Sequence, residues 1–181
     1  MISNIQKLLR PAQSIPEKMI KVNHAGENGA VNIYRGQQVF GWLYGRKQFQ
    51  TLQEFEAHER EHRTIFANYL GENKIRRCIS YHFCGIGGLT LGIITGLLGK
   101  QIIAATTFAV ETVVLEHLDK QLKFLKGQDI IAFECVKKIY DDEKSHRDQS
   151  AANLNMNGLI NGIVISIVSF FTEYTIKFGM R

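Results

Sequence analysis

Glu27, Glu59 and His62 recur 84 residues later as Glu111, Glu143 and His146. One pattern, a glutamate followed 32 residues on by Glu-x-x-His, is therefore written twice in a chain of 181 residues. Four carboxylates and two imidazoles form a complete ligand set for two iron ions, since oxygen and imidazole donors suit iron or manganese whereas thiolates select zinc or copper(I). Helical bundles hold such a pair with a lone Glu from each of two helices and a Glu-x-x-His from each of two others. A single Glu-x-x-His on a charged helix is ordinarily a solvated pair. A second copy at the same distance from its own upstream glutamate takes the pattern out of that class. By symmetry Glu27 and His62 serve one metal, Glu111 and His146 the other, and Glu59 and Glu143 bridge. Without metal, four carboxylates buried together would have to protonate in part. Six side chains leave coordination positions open, where dioxygen could bind.

Helix geometry sets what must position these groups. Residues three apart share a helix face, so Glu59 with His62 and Glu143 with His146 can each point at one centre. Two antiparallel helices bring Glu27 opposite Glu59 if the chain turns near residue 43; in the second copy the midpoint is Gly127, and Gly45 follows the first midpoint. Glycine is what such a stop needs, because it takes the left-handed conformation without steric cost. Ser14-Ile15-Pro16-Glu17 has the form of a capping box with proline in the first turn and opens a helix running to about Tyr44. A second helix is predicted from Arg46 to Leu70, ended by Gly71 and Asn73. A fourth runs from Gln101 to Lys126, a fifth from Gln128 to Asn153, and a last from Leu159 to Phe178.

The third region, Cys78 to Gly99, has no charged residue and serves as the long crossover that joins two hairpins of such a bundle. Gly88, Gly92 and Gly96 fall at i, i+4 and i+8, a stripe that permits close helix approach. Its length suits a membrane span; His82 and the glycines favour a crossover packed on the bundle or lying in the membrane interface. In the last helix Gly162, Ser166, Ser169, Glu173 and Lys177 make one narrow small-or-polar stripe and apolar residues fill the rest. An arc that wide needs bundle core, a subunit partner or lipid. The fold class expected is all-α, a ferritin-like four-helix bundle with a long crossover and additional apolar helices. Residues 14–181 form one domain behind an N-terminal segment, 1–13, of interfacial character.

Composition narrows the function. Met1 to Arg10 lacks the long apolar run and small-residue cleavage site of a signal peptide. The three cysteines, Cys78, Cys84 and Cys135, make no C-x-x-C pair, which points to a reducing compartment and away from an iron–sulfur or structural zinc site. The net charge of +5 is scattered rather than gathered into a basic stripe with aromatics, so nucleic acid is not expected as a partner. An anionic membrane surface fits the sign. Gly85-Ile86-Gly87-Gly88 is not a dinucleotide fingerprint, since Thr90 replaces the third glycine and no strand precedes it. No cofactor-binding residues beyond the metal ligands are expected, and electrons must come from a separate reductant or from the substrate itself. Ile102 to Val110, uncharged up to Glu111, reads as ordinary core, with an apolar substrate approach as the alternative.

Val22-Asn23-His24-Ala25-Gly26-Glu27, Glu59-Arg60-Glu61-His62, Leu97-Leu98-Gly99-Lys100, Ala109-Val110-Glu111 and Asp142-Glu143-Lys144-Ser145-His146 together resemble the demethoxyubiquinone hydroxylase family of ubiquinone biosynthesis. The likeness runs from about Lys21 to the C-terminus with the motifs in order. N-H-A-G-E and L-L-G-K are specific to that family, whereas the ligands alone are shared with ferritins and rubrerythrins. The resemblance implies a di-iron monooxygenase, peripheral to a membrane on the cytoplasmic face of a bacterial inner membrane or the mitochondrial matrix side. It would use O2 to hydroxylate the ring of a polyprenylated 3-methyl-6-methoxy-1,4-benzoquinol, before a final O-methylation. Its ligands carry over as Glu27, Glu59, His62, Glu111, Glu143 and His146. Other ubiquinone-biosynthesis proteins and a second copy of the chain are candidate partners. Asn28 stands where the family usually has Tyr, and Thr112 where a second acidic residue commonly follows the third ligand; neither is a ligand, so the resemblance implies the same reaction with differences in substrate contacts or in the hydrogen bonds behind the ligands.

His24 and His117 are placed to orient ligands or relay protons, but the reading of each as a structural histidine is the favoured one; His58, in a charged run, reads as solvated. The main alternative function is iron storage or ferroxidase chemistry of the ferritin type. The two apolar segments argue against the soluble shell that storage needs, and a rubrerythrin-type peroxidase would bring a C-x-x-C iron site. A scaffold whose helices merely pack leaves the repeat unexplained.

Overall fold

The computed structural model describes residues 9–180, and six α-helices account for most of them. They are α1 (Ile15–Gly41), α2 (Arg46–Glu72), α3 (Ser80–Leu98), α4 (Lys100–Leu125), α5 (Ile130–Ala152) and α6 (Leu159–Met180). The described residues contain no extended strand, only an isolated bridge from Arg10 to Ile75. The all-α expectation holds. The interfacial helix expected at the N-terminus falls largely outside the described residues. Where the chain comes into view, Arg10 is pinned to the α2–α3 connection by backbone bonds to Lys74 and Arg76, of 2.8 and 3.0 Å.

The capping box of α1 is present: Glu17 N donates to Ser14 Oγ at 3.3 Å, and Ser14 N donates to the Glu17 carboxylate at 3.4 Å. The regular part of α1 stops at Gly41, and Trp42–Tyr44 tighten into a 3-10 turn centred on the expected midpoint. Gly45 and Gly127 take φ of 95° and 82°, as the two hairpin turns require. Gly71 does not end α2. The helix runs through it to Glu72, and the left-handed residue after the cap is Lys74, with φ 54°. Its carbonyl accepts the bond from Arg10, so a contact remote in sequence holds a conformation that propensity alone would not select.

α1 pairs with α2, and α4 with α5, as the two expected hairpins; α3 lies along α1, and α6 along α4. A shift of 84 residues carries α1 onto α4 and α2 onto α5, and brings α3 approximately onto α6. The repeat therefore has three helices rather than two. α3 sits on α1 with almost no space between backbones. A Cβ at Gly88 would strike the Gly29 carbonyl, one at Gly92 the Ile33 carbonyl, and one at Gly96 would lie 2.9 Å from Gln37 Cα. The glycine stripe is the contact surface itself.

Two apolar clusters bracket the middle of the bundle. Ile20, Phe66, Leu118, Leu125, Val136 and Ile139 belong to the larger, and Tyr34, Leu52, Phe55 and Ile103 form the smaller. On α1, α2 and α4 the metal-ligand candidate lies between a residue of one cluster and a residue of the other. Burial of each large apolar side chain contributes about 1.5–3 kcal/mol, and the two clusters together stabilise a bundle that must bury carboxyl groups at its centre.

Candidate metal centre

Helix periodicity delivers all six predicted side chains to one place. Glu27 comes from α1, Glu59 and His62 from α2, Glu111 from α4, and Glu143 and His146 from α5. All are between 1 and 6% exposed. They form two overlapping groups, Glu27, Glu59, His62 and Glu143 in one and Glu59, Glu111, Glu143 and His146 in the other, with candidate ligand atoms within 4.8 Å of one another in each. Glu59 and Glu143 are common to both, the arrangement that a bridging role requires.

The donor atoms fit metal better than they fit one another. His62 Nδ1 lies 3.0 Å from Glu143 Oε1, and His146 Nδ1 lies 3.1 Å from Glu59 Oε1. The second contact is close but lacks hydrogen-bond alignment: Glu59 Oε1 and Oε2, Glu143 Oε2 and His146 Nδ1 are all buried without a hydrogen-bond partner. Buried polar atoms are rarely left so, and four in one cluster is what a site shaped for cations looks like. The protein groups alone neutralise the cluster awkwardly. Burial, then the charges of Glu59 and Glu143, push the Glu27 carboxyl well above its usual range. Burial, Glu143 and Glu59 do the same to Glu111. For His62, burial opposes the charged form, but the hydrogen bond with Glu143 and the adjacent Glu143 and Glu59 charges outweigh it and push the imidazole up to about 12; for His146 the nearby Glu143 and Glu59 carboxylates outweigh burial and raise it to about 9. Without metal, protons take the place of cations.

The outward nitrogens of the two histidines show what spacing alone did not reveal. His62 Nε2 meets Asp142 Oδ2 at 3.1 Å, and His146 Nε2 meets His58 Nδ1 at 3.0 Å. Neither His24 nor His117, for which this role is the alternative to a structural one, hydrogen-bonds any of the six. His24 is buried and stacked on Tyr81 at 4.8 Å; burial, then Arg77 and Arg63, lower it to about 4 and keep it neutral. His117 instead pairs with Glu173 of α6 at 2.6 Å. His58 is exposed, as its charged surroundings suggest, yet its ring reaches the centre's edge. A further partner is Tyr34, whose buried hydroxyl donates to Glu111 Oε1 at 3.0 Å. The signal for Asp142 and His58 was available, since each immediately precedes the first residue of a Glu-x-x-His. Tyr34 carried none.

The departures at Asn28 and Thr112 also resolve. The Asn28 amide donates to the Tyr81 carbonyl at 2.9 Å and accepts from Arg63 Nη1 at 2.8 Å, so it ties α1 to α2 and α3. The Thr112 hydroxyl donates to the Phe108 carbonyl one turn back at 2.6 Å.

A cavity of about 700 Å³ opens onto the cluster and touches Glu27, Glu59, Glu111 and Glu143. Its outer walls are α3, with Phe83, Leu91 and Ile94, and α6, with Ile167, Phe171 and Phe178. From the uncharged approach to Glu111 only Val110 lines it; Ile102 to Ala105 and Ala109 are buried core, as the simpler reading expected. α6 is not core. Among its residues only Asn161 and Val168 are buried, whereas Leu159, Ile160, Phe170, Phe171 and Tyr174 are at least 60% exposed. α3 is alike on its outer face, with Phe83, Ile86 and Leu97 exposed. An apolar surface of this extent is a site of interaction.

Comparison with known proteins agrees with this geometry. Residues 14–179 match the family described as "Ubiquinone biosynthesis protein COQ7". Over 148 residues the chain is 36% identical to a Dictyostelium discoideum protein named "NADPH-dependent 3-demethoxyubiquinone 3-hydroxylase, mitochondrial", covering 80% of this chain and 67% of that one. The Homo sapiens protein of the same name is 31% identical over 137 residues, 73% of this chain and 62% of the relative. A "3-demethoxyubiquinol 3-hydroxylase" of Rhodospirillum rubrum is 28% identical over 139 residues, 76% of this chain and 64% of the relative. The chain thus spans about two thirds of the length of these relatives. The family match begins at the cap of α1 and ends one residue short of the end of α6, so that it takes in all six helices of the described residues: the chain belongs to the COQ7 family of ubiquinone biosynthesis proteins.

Proposed function

We propose that this chain hydroxylates the ring of demethoxyubiquinol, with two iron ions held by Glu27, Glu59, His62, Glu111, Glu143 and His146. The observation that carries the reading is the meeting of a buried cluster of four carboxyl groups with an apolar cavity large enough for a substituted ring. Iron bound there would supply dioxygen activation, the chemistry that hydroxylation of a ring C–H needs. One oxygen atom enters the ring and the other leaves as water, which takes two electrons and two protons from a reductant. The names of the Dictyostelium and human relatives attach NADPH to that role, and NADPH is the electron source proposed here, with the quinol itself as the alternative donor.

The chain's own residues do the rest. Apolar walls from α3 and α6 exclude water and accept a prenyl chain. Asn23 and Gln121, joined by two amide bonds of 2.7 and 3.0 Å, hold α1 and α4 together beside the cavity. Tyr34 holds Glu111, while Asp142 and His58 hold the histidines. The exposed faces of α3 and α6 rest in the surface of a membrane, from which a lipid quinol reaches the cavity between them. α3, α4 and α6 are each long and apolar enough to cross a membrane. α4 carries Glu111 in the bundle centre, however, and α3 is clamped along α1, so immersion from the side fits better than a span. The membrane is a bacterial inner membrane at its cytoplasmic face, or a mitochondrial one at the matrix side.

The test is single turnover of the iron-loaded protein with a short-chain methoxy-benzoquinol and isotope-labelled dioxygen. One labelled oxygen in the ring is expected. Unlabelled product, or none from protein that holds two irons, would refute the hydroxylase reading.

A further inference from the structure

The partners of the two ligand histidines occupy equivalent places in the repeat but differ in kind. Asp142 and His58 are 84 residues apart, each stands immediately before a bridging glutamate, and each crosses to the histidine of the opposite helix. Both histidines turn Nδ1 toward the carboxylate cluster. With Nδ1 committed to metal, Nε2 carries the proton and donates it outward. His62 then donates to a carboxylate oxygen, and His146 to an imidazole nitrogen. A carboxylate acceptor draws the N–H proton more strongly and makes the far nitrogen a better donor to metal; an imidazole acceptor does so less.

We propose that His58 is a positioning residue that makes the two metal sites unequal, leaving the iron held by Glu27 and His62 more tightly bound and more electron-rich than the iron held by Glu111 and His146. The inference rests on the di-iron reading and adds to it a division of labour between the ions. The Tyr34 bond to Glu111 is a second difference between the halves, so the wild-type inequality alone would not identify its source. Exchange of the two partners does.

The full chain is loaded anaerobically with ferrous iron, and two readouts follow: the stepwise affinities and the Mössbauer spectrum. Wild type should bind in two resolved steps and show two distinct quadrupole doublets. His58→Asp should raise the weaker affinity by about 10–100-fold and draw the doublets together. Asp142→His should lower the tighter affinity by a similar factor. His58→Gln, which keeps a neutral acceptor, should stay near wild type and serves as the check that position 58 tolerates change. Two irons bound with affinities and doublets unmoved by either exchange would overturn the inference while sparing the centre. Failure of wild type to take up two irons would instead refute the di-iron reading, and the inference with it.

Discussion

α3 and α6 stand in comparable places in the two halves of the repeat and are attached in opposite ways. α3 meets α1 backbone to backbone through Gly88, Gly92 and Gly96, with no side chain between them. α6 is held on α4 by side chains instead: Val164 and Ile165 pack on the cluster of Ala104 and Ala105, Val168 is buried in the middle, His117 pairs with Glu173, and Asn161 donates to the Gln101 side chain at 3.2 Å. A backbone seam leaves no room, and spaced contacts do. The cavity lies between the sealed helix and the loosely attached one, so the difference between the halves creates access to a centre that a perfectly symmetric bundle would enclose.

The comparison can be broken most severely at a feature both halves share, the glutamate of each that would bridge the metals. Glu59→Ala or Glu143→Ala should abolish binding of both irons, as read by metal analysis after gel filtration; two irons per chain in either variant would refute the bridging role. Next comes the seam. Gly92→Ala should destabilise the fold by about 3 kcal/mol or more, since backbone rather than a flexible side chain must move. Gly162→Ala on α6 has open space and should stabilise by about 0.5–1 kcal/mol. Denaturant midpoints in detergent that shift equally for both would remove the distinction.

A smaller effect is expected at Tyr34, whose place in the second half is taken by Leu118 and which supports Glu111 alone. Tyr34→Phe should keep both irons and lower turnover by about 10–100-fold. Loss of iron would show the hydroxyl to be needed for metal retention instead. Least of all is the capping box, which the second half lacks, since Leu98 and Gln101 stand in its place. Ser14→Ala should cost about 1 kcal/mol. The hydrogen bond from Arg10 outweighs burial and holds Glu17 at about 2, below its ordinary 4.5. Its contribution is therefore present above pH 4.5 and fades as pH falls toward 2. Arg10→Gln should flatten that part of the stability profile.

The clustering of the six candidate ligands and the two hairpins were legible because both are matters of spacing along one helix or across one turn. The α1 cap and the positive φ at Gly45 and Gly127 were legible for the same reason. What stayed hidden depends on how helices are rotated against each other. Tyr34 lies seven residues beyond Glu27 on the same helix yet serves Glu111, and no pattern within α1 announces that. For His24 and His117, proximity in sequence to a ligand candidate left open which helix each side chain faces, and the fold gives His24 to Tyr81 and His117 to Glu173. The glycine stripe lay between these cases: its spacing announced a close contact, and only the fold named α1 as the partner.

The 84-residue offset also has a consequence for ancestry. A chain of half this length, holding one Glu and one Glu-x-x-His, could assemble the same six donors as a homodimer, with a two-fold axis through the centre. In such a dimer every substitution is made twice, and the two metals are identical by necessity. Joining the copies into one chain removes that constraint. His58 and Asp142 could then diverge, Tyr34 could arise where the other half keeps Leu118, and one end helix could tighten while the other loosened. On this view fusion gave the protein something besides a covalent link, namely the freedom for its two halves to specialise.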